Sequence, residues 1–285
     1  MNNIQNELIE NGYCVIENVL NEDEIKYAKD CFYDWLNHDK QIKDLHTKIS
    51  PHCIFKHMQI GHQRHAWYIR TRPKVQEVFK NIWKTDELVV SYDGTCYVNS
   101  DTIKRDNVWI HTDQAPITKG LQCYQGFVSL TDNINRTWVC YEGSHKLHEE
   151  YAKEKNLTSK KNWLLIDNEY LEKIKEKKKI IHVKAGSLVL WDSRIFHQNQ
   201  YGGDCKEERL IQYVSYLPRK DLKEKIREKR MKYFLSRRTT SHWPYPVKVN
   251  GKQPQTYGNK SLEVNYKTLN EPYLDDMIEN IMKLI

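Results

Sequence analysis

From Leu88 onward the chain is written in short β-rich runs separated by polar turns, and this constrains its fold more than any other feature. The runs are LVVSY (88–92), CYVN (96–99), VWIH (108–111), LQCYQGFVSL (121–130), TWVCYE (137–142), IIHV (180–183), SLVLWD (187–192) and RLIQYVSYL (209–217). Segments such as SDT, DQAP, TDNIN and GGD punctuate them. Many short strands with turn punctuation predict an all-β sandwich or barrel. With 285 residues, eight Trp and eighteen Tyr, the chain has enough aromatic surface to need a core or a pocket, despite a mean hydropathy of -0.80.

The flanks read as helical. Leu8 to Asn11 runs into Gly12, a C-cap residue, and Tyr13–Ile16 reads as a strand. Asn21 is an N-cap, followed by acidic Glu22, Asp23 and Glu24. Ile25, Ala28, Phe32 and Leu36 then recur at helical spacing to about Asn37. Pro73 opens a second helix over 73–84. A helical insert is expected at about 147–178, a helix over 219–236, a loop over 239–270 and a closing helix over 271–284. The simplest organisation is one domain over 1–285. Residues 1–87 are its helical support, 88–217 its β core with the insert, and 218–285 its C-terminal helices and loop.

No apolar run approaches the ~20 residues of a membrane span, and the N-terminus lacks the pattern of a secretory signal. Seven cysteines without a CxxC pair argue against zinc ribbons and disulfide scaffolds. A reduced, cytoplasmic protein is expected. The net charge of +7 concentrates at KIKEKKK (173–179) and in ten Lys or Arg between Arg219 and Arg238. A nucleic-acid partner is conceivable there. Interleaved Asp221, Glu224 and Glu228 favour a solvated helix face.

WIHTDQAP places His111 and Asp113 on alternate positions beside an apolar run, and IFHQN supplies His197 after the strong run SLVLW. Residues i and i+2 of a strand share a face. Two imidazoles and a carboxylate on one face of an ion, with positions left open, form the facial triad of non-haem Fe(II) oxygenases. Such enzymes commonly use a 2-oxo acid, whose distal carboxylate needs a buried cation. Arg209 opens the next strand and has the planar fork for it. The competing reading makes His111 a strand cap, Asp113 a turn initiator and His197 a satisfied core histidine.

The wider sequence resembles the phytanoyl-CoA dioxygenase-like family of Fe(II)/2-oxoglutarate oxygenases, in a branch found in microbes and viruses. ENGYCVIENVLNEDEI, WKTDELVVSYDG, HTDQAP, LQCYQGFVSL, VCYEGSHKLH, AGSLVLWDSRIFHQN and TTSHWP carry the resemblance. It implies a mainly β fold with helical flanks around a double-stranded β-helix, or jelly-roll, core. It also implies iron held by His111, Asp113 and His197, and 2-oxoglutarate held by Arg209, with O₂ as oxidant. Related halogenases replace the acid with a small residue, so Asp113 points to hydroxylation or another oxidation. The chain departs from the family in having Arg136 where a Gly usually precedes the strand.

Other residues are read against blander roles. Gln125, mid-strand in an apolar run, is a candidate contact for 2-oxoglutarate or substrate. Asp93, Gln114, His242 and Trp243 are candidates for the substrate pocket. His145 and His148 are expected to fix a turn. His52, His57, His62 and His65 are expected in a polar loop or lid, with His62 or Arg64 able to touch substrate. The substrate expected is a small organic molecule, with succinate and CO₂ as co-products. The same chemistry on a nucleic acid or protein, or a non-catalytic jelly-roll binding module, are the alternatives.

Overall fold

A computed structural model describes residues 2–285. The strands are β1 (Tyr13–Ile16), β2 (Ile54–Phe55), β3 (Leu88–Val90), β4 (Thr95–Val98), β5 (His111–Thr112), β6 (Tyr124–Ser129), β7 (Asn133–Tyr141), β8 (Leu164–Leu165), β9 (Lys178–Val183), β10 (Leu188–Asp192), β11 (His197–Asn199) and β12 (Arg209–Pro218). The larger sheet runs β1-β10-β6-β12-β4-β2, with β3 also on β12; the smaller runs β8-β5-β11-β7-β9. Every pairing is antiparallel. The fold is mainly β with helical flanks, and neither sheet closes on itself.

The period-2 rule explains how the larger sheet is covered on both faces. Val189 and Trp191 of β10, Phe127 of β6 and Ile211 of β12 turn inward, against Trp138, Cys140 and Ile181 of the smaller sheet. Their neighbours Leu188, Leu190, Val128, Leu210, Val214 and Tyr216 turn the other way and join a core built with helices. Those helices are α1 (Asn2–Glu10), α2 (Glu22–His38), α3 (Lys40–Ile49), α4 (Arg64–Arg70) and α5 (Pro73–Trp83). Asn21 and Glu24 form a reciprocal capping box on α2, and Pro73 occupies the first turn of α5.

Several boundaries differ from expectation. The run at 108–111 is ladder-paired only at His111–Thr112. Trp109 N instead donates to Gln198 Oε1, and Gln198 Nε2 donates to Asn107 O, so a side-chain amide replaces the backbone ladder there. The insert is only partly helical, with α6 (His148–Glu154) and α7 (Asn168–Lys173) separated by β8. The helix expected from residue 219 begins at Glu224 (α8, Glu224–Leu235), after a 3₁₀ turn. The closing helix shrinks to α9 (Ile278–Met282).

Two buried arginines brace the fold. Arg230 of α8 donates to the carbonyls of Ile285, Pro244, Val90 and Leu284, so part of the basic stretch belongs to the core. Arg136 donates to the carbonyls of Tyr201, Asn99, Thr102 and Cys205. The GSH turn docks on the N-terminal segment: His145 Nε2 bonds Ile9 O, and a Cβ at Gly12 (φ +82°) would lie 2.4 Å from His145 Nδ1. Only glycine fits both the backbone and the contact. His148 Nε2 bonds Gln114 O, so both histidines hold backbone, as expected of a turn. Among the described residues, no helix is long and apolar enough to cross a membrane.

Candidate metal centre and its cavity

The short strand β5 pairs with β11 at one register point, His111 opposite His197. Asp113 follows β5, and its N–H donates to Ser193 O at 3.0 Å, which fixes the turn that carries the carboxylate. His111, Asp113 and His197 are all buried, and one ligand atom from each lies within 4.8 Å of the others. His111 Nε2 is 3.6 Å from Asp113 Oδ1, and His197 Nε2 is 3.4 Å from Asp113 Oδ2.

The donor set fits a metal ion. His111 Nδ1 lies 3.1 Å from Trp109 O, and His197 Nδ1 lies 3.0 Å from Ile195 O. A carbonyl only accepts, so each Nδ1 carries the proton and each Nε2 turns its lone pair toward Asp113. Nitrogen and oxygen ligands about 2.1 Å from a common ion, at right angles, stand about 3 Å apart, close to the spacing seen. Burial, with His197 second, pushes the His111 imidazole down to about 3, so it stays neutral and able to ligate. Burial opposes ionisation of Asp113, and positive charge beside it is what lowers the carboxyl below its usual range; with the two ligating imidazoles neutral, a bound cation would supply that charge.

Indole rings enclose the triad. Trp109 stacks on His111 at 4.8 Å, and Trp163 lies at 5.8 Å from it. Trp138 and Trp191 sit 5.6 and 5.4 Å from His197. These residues, the triad, Gln125, Asn199, Tyr213 and Ser215 line a cavity of about 360 Å³, with His52, Lys56, Asp93 and His242 also on its wall.

Arg209 is 1% exposed and stands one side chain behind that wall. Its Nη2 donates to Asn199 Oδ1 and its Nη1 to Arg136 O, both at 3.0 Å. Its guanidinium carbon lies 5.3 Å from the Phe127 ring, and its Nε has no partner among the described residues. Asn199 Nδ2 donates to Tyr213 Oη at 3.0 Å, and Asn199 and Tyr213, not Arg209, are on the cavity wall.

The other candidates divide. Gln125, Asp93 and His242 reach the cavity wall. His242 Nε2 lies 3.6 Å from Asp113 Oδ1, and burial raises the Asp93 carboxyl. Gln114 and Trp243 do not reach it. Gln114 donates to the carbonyls of Thr118 and Gly120 and accepts from Ser193 Oγ, so it braces the loop after Asp113. Trp243 packs with Cys123 and Leu217. The expected histidine lid also dissolves. His62 and His65 are buried in the core, Arg64 pairs with Asp276, and of the four only His52 lines the cavity, stacked on Trp109.

Asn199, Tyr213 and Ser215 were not singled out from the sequence. Strand alternation carries the signal for them: Asn199 is two residues past His197, and Tyr213 and Ser215 share the face of Arg209.

The fold recurs in known proteins. "Ava biosynthesis cluster protein O" of Aspergillus versicolor is 26% identical over 261 residues, covering 82% of this chain and 83% of that one. HygX of Streptomyces hygroscopicus, solved with nickel and 2-oxoglutarate bound, superposes with a TM-score of 0.52 at 12% identity, over 76% of this chain and 86% of its own. EctD of S. alaskensis, solved with 2-oxoglutarate and 5-hydroxyectoine, gives 0.53 at 15% identity, over 76% and 75%. The family profile described as Phytanoyl-CoA dioxygenase (PhyH) matches residues 8–200, about two thirds of the sequence, and the chain belongs to that family.

Proposed function

We propose that this chain is an Fe(II)- and 2-oxoglutarate-dependent oxygenase that oxidises a small organic molecule, most simply by hydroxylation, with succinate and CO₂ as co-products. The observation that carries the reading is the buried His111–Asp113–His197 set, with tautomers fixed for ligation, on the wall of a cavity of about 360 Å³. That volume is in the range of small-molecule sites.

Bound at the triad, Fe(II) with 2-oxoglutarate supplies O₂ activation and the oxidising power to break a C–H bond. The chain's residues do the rest. The Trp109 and Ile195 carbonyls fix the two imidazoles. Trp138 and Trp191 exclude water beside His197. Arg209, with Asn199 and Tyr213, supplies the charge and hydrogen bonds for the distal carboxylate of the co-substrate. Asp93, His242 and Lys56 remain on the wall to meet the substrate.

The test is succinate release from 2-oxoglutarate under air with Fe(II). His111→Ala and Asp113→Ala should abolish release and metal binding while the far-UV spectrum and melting temperature stay near wild type. Full turnover in either variant would overturn the assignment.

A further inference from the structure

Three side chains on the cavity wall stand side by side across adjacent strands. Trp191 of β10, Gln125 of β6 and Ser215 of β12 are Cα partners in register, and all three line the cavity. Gln125 is 1% exposed, and neither its Oε1 nor its Nε2 has a hydrogen-bond partner among the described residues. Trp191 Nε1, next to it, is also buried without a partner. Buried polar groups are normally paired, and a leucine here would avoid the cost of leaving an amide bare. An unpaired amide facing a cavity is explained by a ligand that pairs it.

We propose that Gln125 is the substrate-reading residue of this cavity, and that the substrate presents to it a cis-amide edge, the adjacent N–H and C=O of a lactam, a cyclic imide or a primary carboxamide. The proposal rests on the iron and 2-oxoglutarate reading for its chemistry, but not for binding. It follows from what can satisfy both ends of one amide. A glutamine side chain offers donors on one atom and an acceptor on the other. At neutral pH 2-oxoglutarate carries only acceptors, so it could engage Nε2 and would leave Oε1 bare. A trans secondary amide points its N–H and C=O in opposite directions and meets one end only. A cis-amide edge meets both through two parallel bonds, as glutamine does when it reads the edge of adenine. Exchanging the O and N of Gln125 changes nothing, because both are unpartnered.

Position separates this contact from the co-substrate anchor. Tyr213 is opposite Phe127, the ring beside the Arg209 cation, whereas Ser215 is opposite Gln125, two residues along the strands. That step is about 7 Å. On its other side Gln125 neighbours Trp191, whose ring is 5.4 Å from that of His197. A group docked on Gln125 is therefore one side chain from the triad.

The experiment uses the full chain loaded with redox-inert Ni(II) and 2-oxoglutarate, both first titrated by calorimetry. δ-Valerolactam, glutarimide and benzamide are then compared, by saturation-transfer NMR, with N-methyl-δ-valerolactam, N-methylglutarimide and N,N-dimethylbenzamide, which cannot donate. The N–H compounds should bind about 10- to 100-fold more tightly than their N-methyl partners. Gln125→Leu and Gln125→Met should bring each pair within about 2-fold. They should leave 2-oxoglutarate binding within about 3-fold and the melting temperature equal or higher, since no protein hydrogen bond is lost.

Equal binding of N-methyl partners, no binding of any N–H compound, or a tenfold loss of 2-oxoglutarate affinity in both variants would overturn the proposal. Failure of Ni(II) and 2-oxoglutarate to bind wild type sinks the oxygenase reading instead. Sound cofactor binding without discrimination among the amides sinks this inference alone.

Discussion

Arg209→Lys tests the co-substrate end of the cavity. The guanidinium holds Asn199 Oδ1 and Arg136 O with Nη2 and Nη1, and its Nε has no partner among the described residues. Arg136 and Arg230, by contrast, are each bound by four carbonyls. With two acceptors and a bare Nε, the buried Arg209 cation is under-coordinated where Arg136 and Arg230 are not, and the distal carboxylate of 2-oxoglutarate would complete its shell. Lysine keeps the charge but loses the fork, so one charge-assisted hydrogen bond, worth about 1.5–3 kcal/mol, is removed. The KM for 2-oxoglutarate should rise roughly 10- to 150-fold, with Ni(II) affinity unchanged. Initial rates of succinate release against 2-oxoglutarate concentration measure the first, and calorimetric titration of the apoprotein the second. If the melting temperature falls while KM stays within about twofold, Arg209 is a clamp on Asn199 and the Arg136 carbonyl, and the reasoning is wrong.

Two further outcomes are expected. His242→Ala should weaken Fe(II) or Ni(II) binding about 10- to 100-fold, as loss of a group that contacts a ligating carboxylate does, because His242 Nε2 lies 3.6 Å from Asp113 Oδ1; an unchanged metal titration would remove it from the centre. Acid should unfold the protein through histidines buried away from the metal. Burial lowers His46 to about 4 and His62 and His65 to about 3. Folded values below the unfolded 6.5 mean that the stability these groups confer is complete above pH 6.5 and drains as pH falls toward 4 and 3. At pH 5 the loss is about 2 kcal/mol for each, and denaturant titrations that stay flat from pH 7 to 5 would contradict it.

Much of the fold is legible in the chain because its signals are local. Asn21 with Glu24, Pro73, and the apolar runs from Leu88 to Leu217 declare their elements through capping and through burial on two faces. The triad residues meet because β5 and β11 pair at His111 and His197, and the turn held by the Asp113 N–H to Ser193 O bond keeps Asp113 on the side that the i, i+2 spacing suggests. What was not legible depends on partners distant in sequence. Gln114 looks like a pocket residue beside Asp113 until Ser193 and Gly120 claim its amide. His62 and His65 sit in a polar-looking stretch, yet bond Arg238 O and Thr95 Oγ1 inside the core. Nothing in the local pattern announces those contacts.

The insert between the GSH turn and β9 looks like a decoration on the sheet, but β8 sets its margin. Leu164 and Leu165 pair with Thr112 and His111, and Ile166 N donates to Ile110 O. Without those three residues, the two-residue strand bearing His111 would be the outermost member of its sheet, with half its backbone bare. Such strands fray or recruit foreign chains. Loop engineering should therefore find two regimes inside one insert. The exposed stretch around Lys160 and Lys161 should accept changes in length, whereas shortening through Leu164–Ile166 should cost metal occupancy and solubility together.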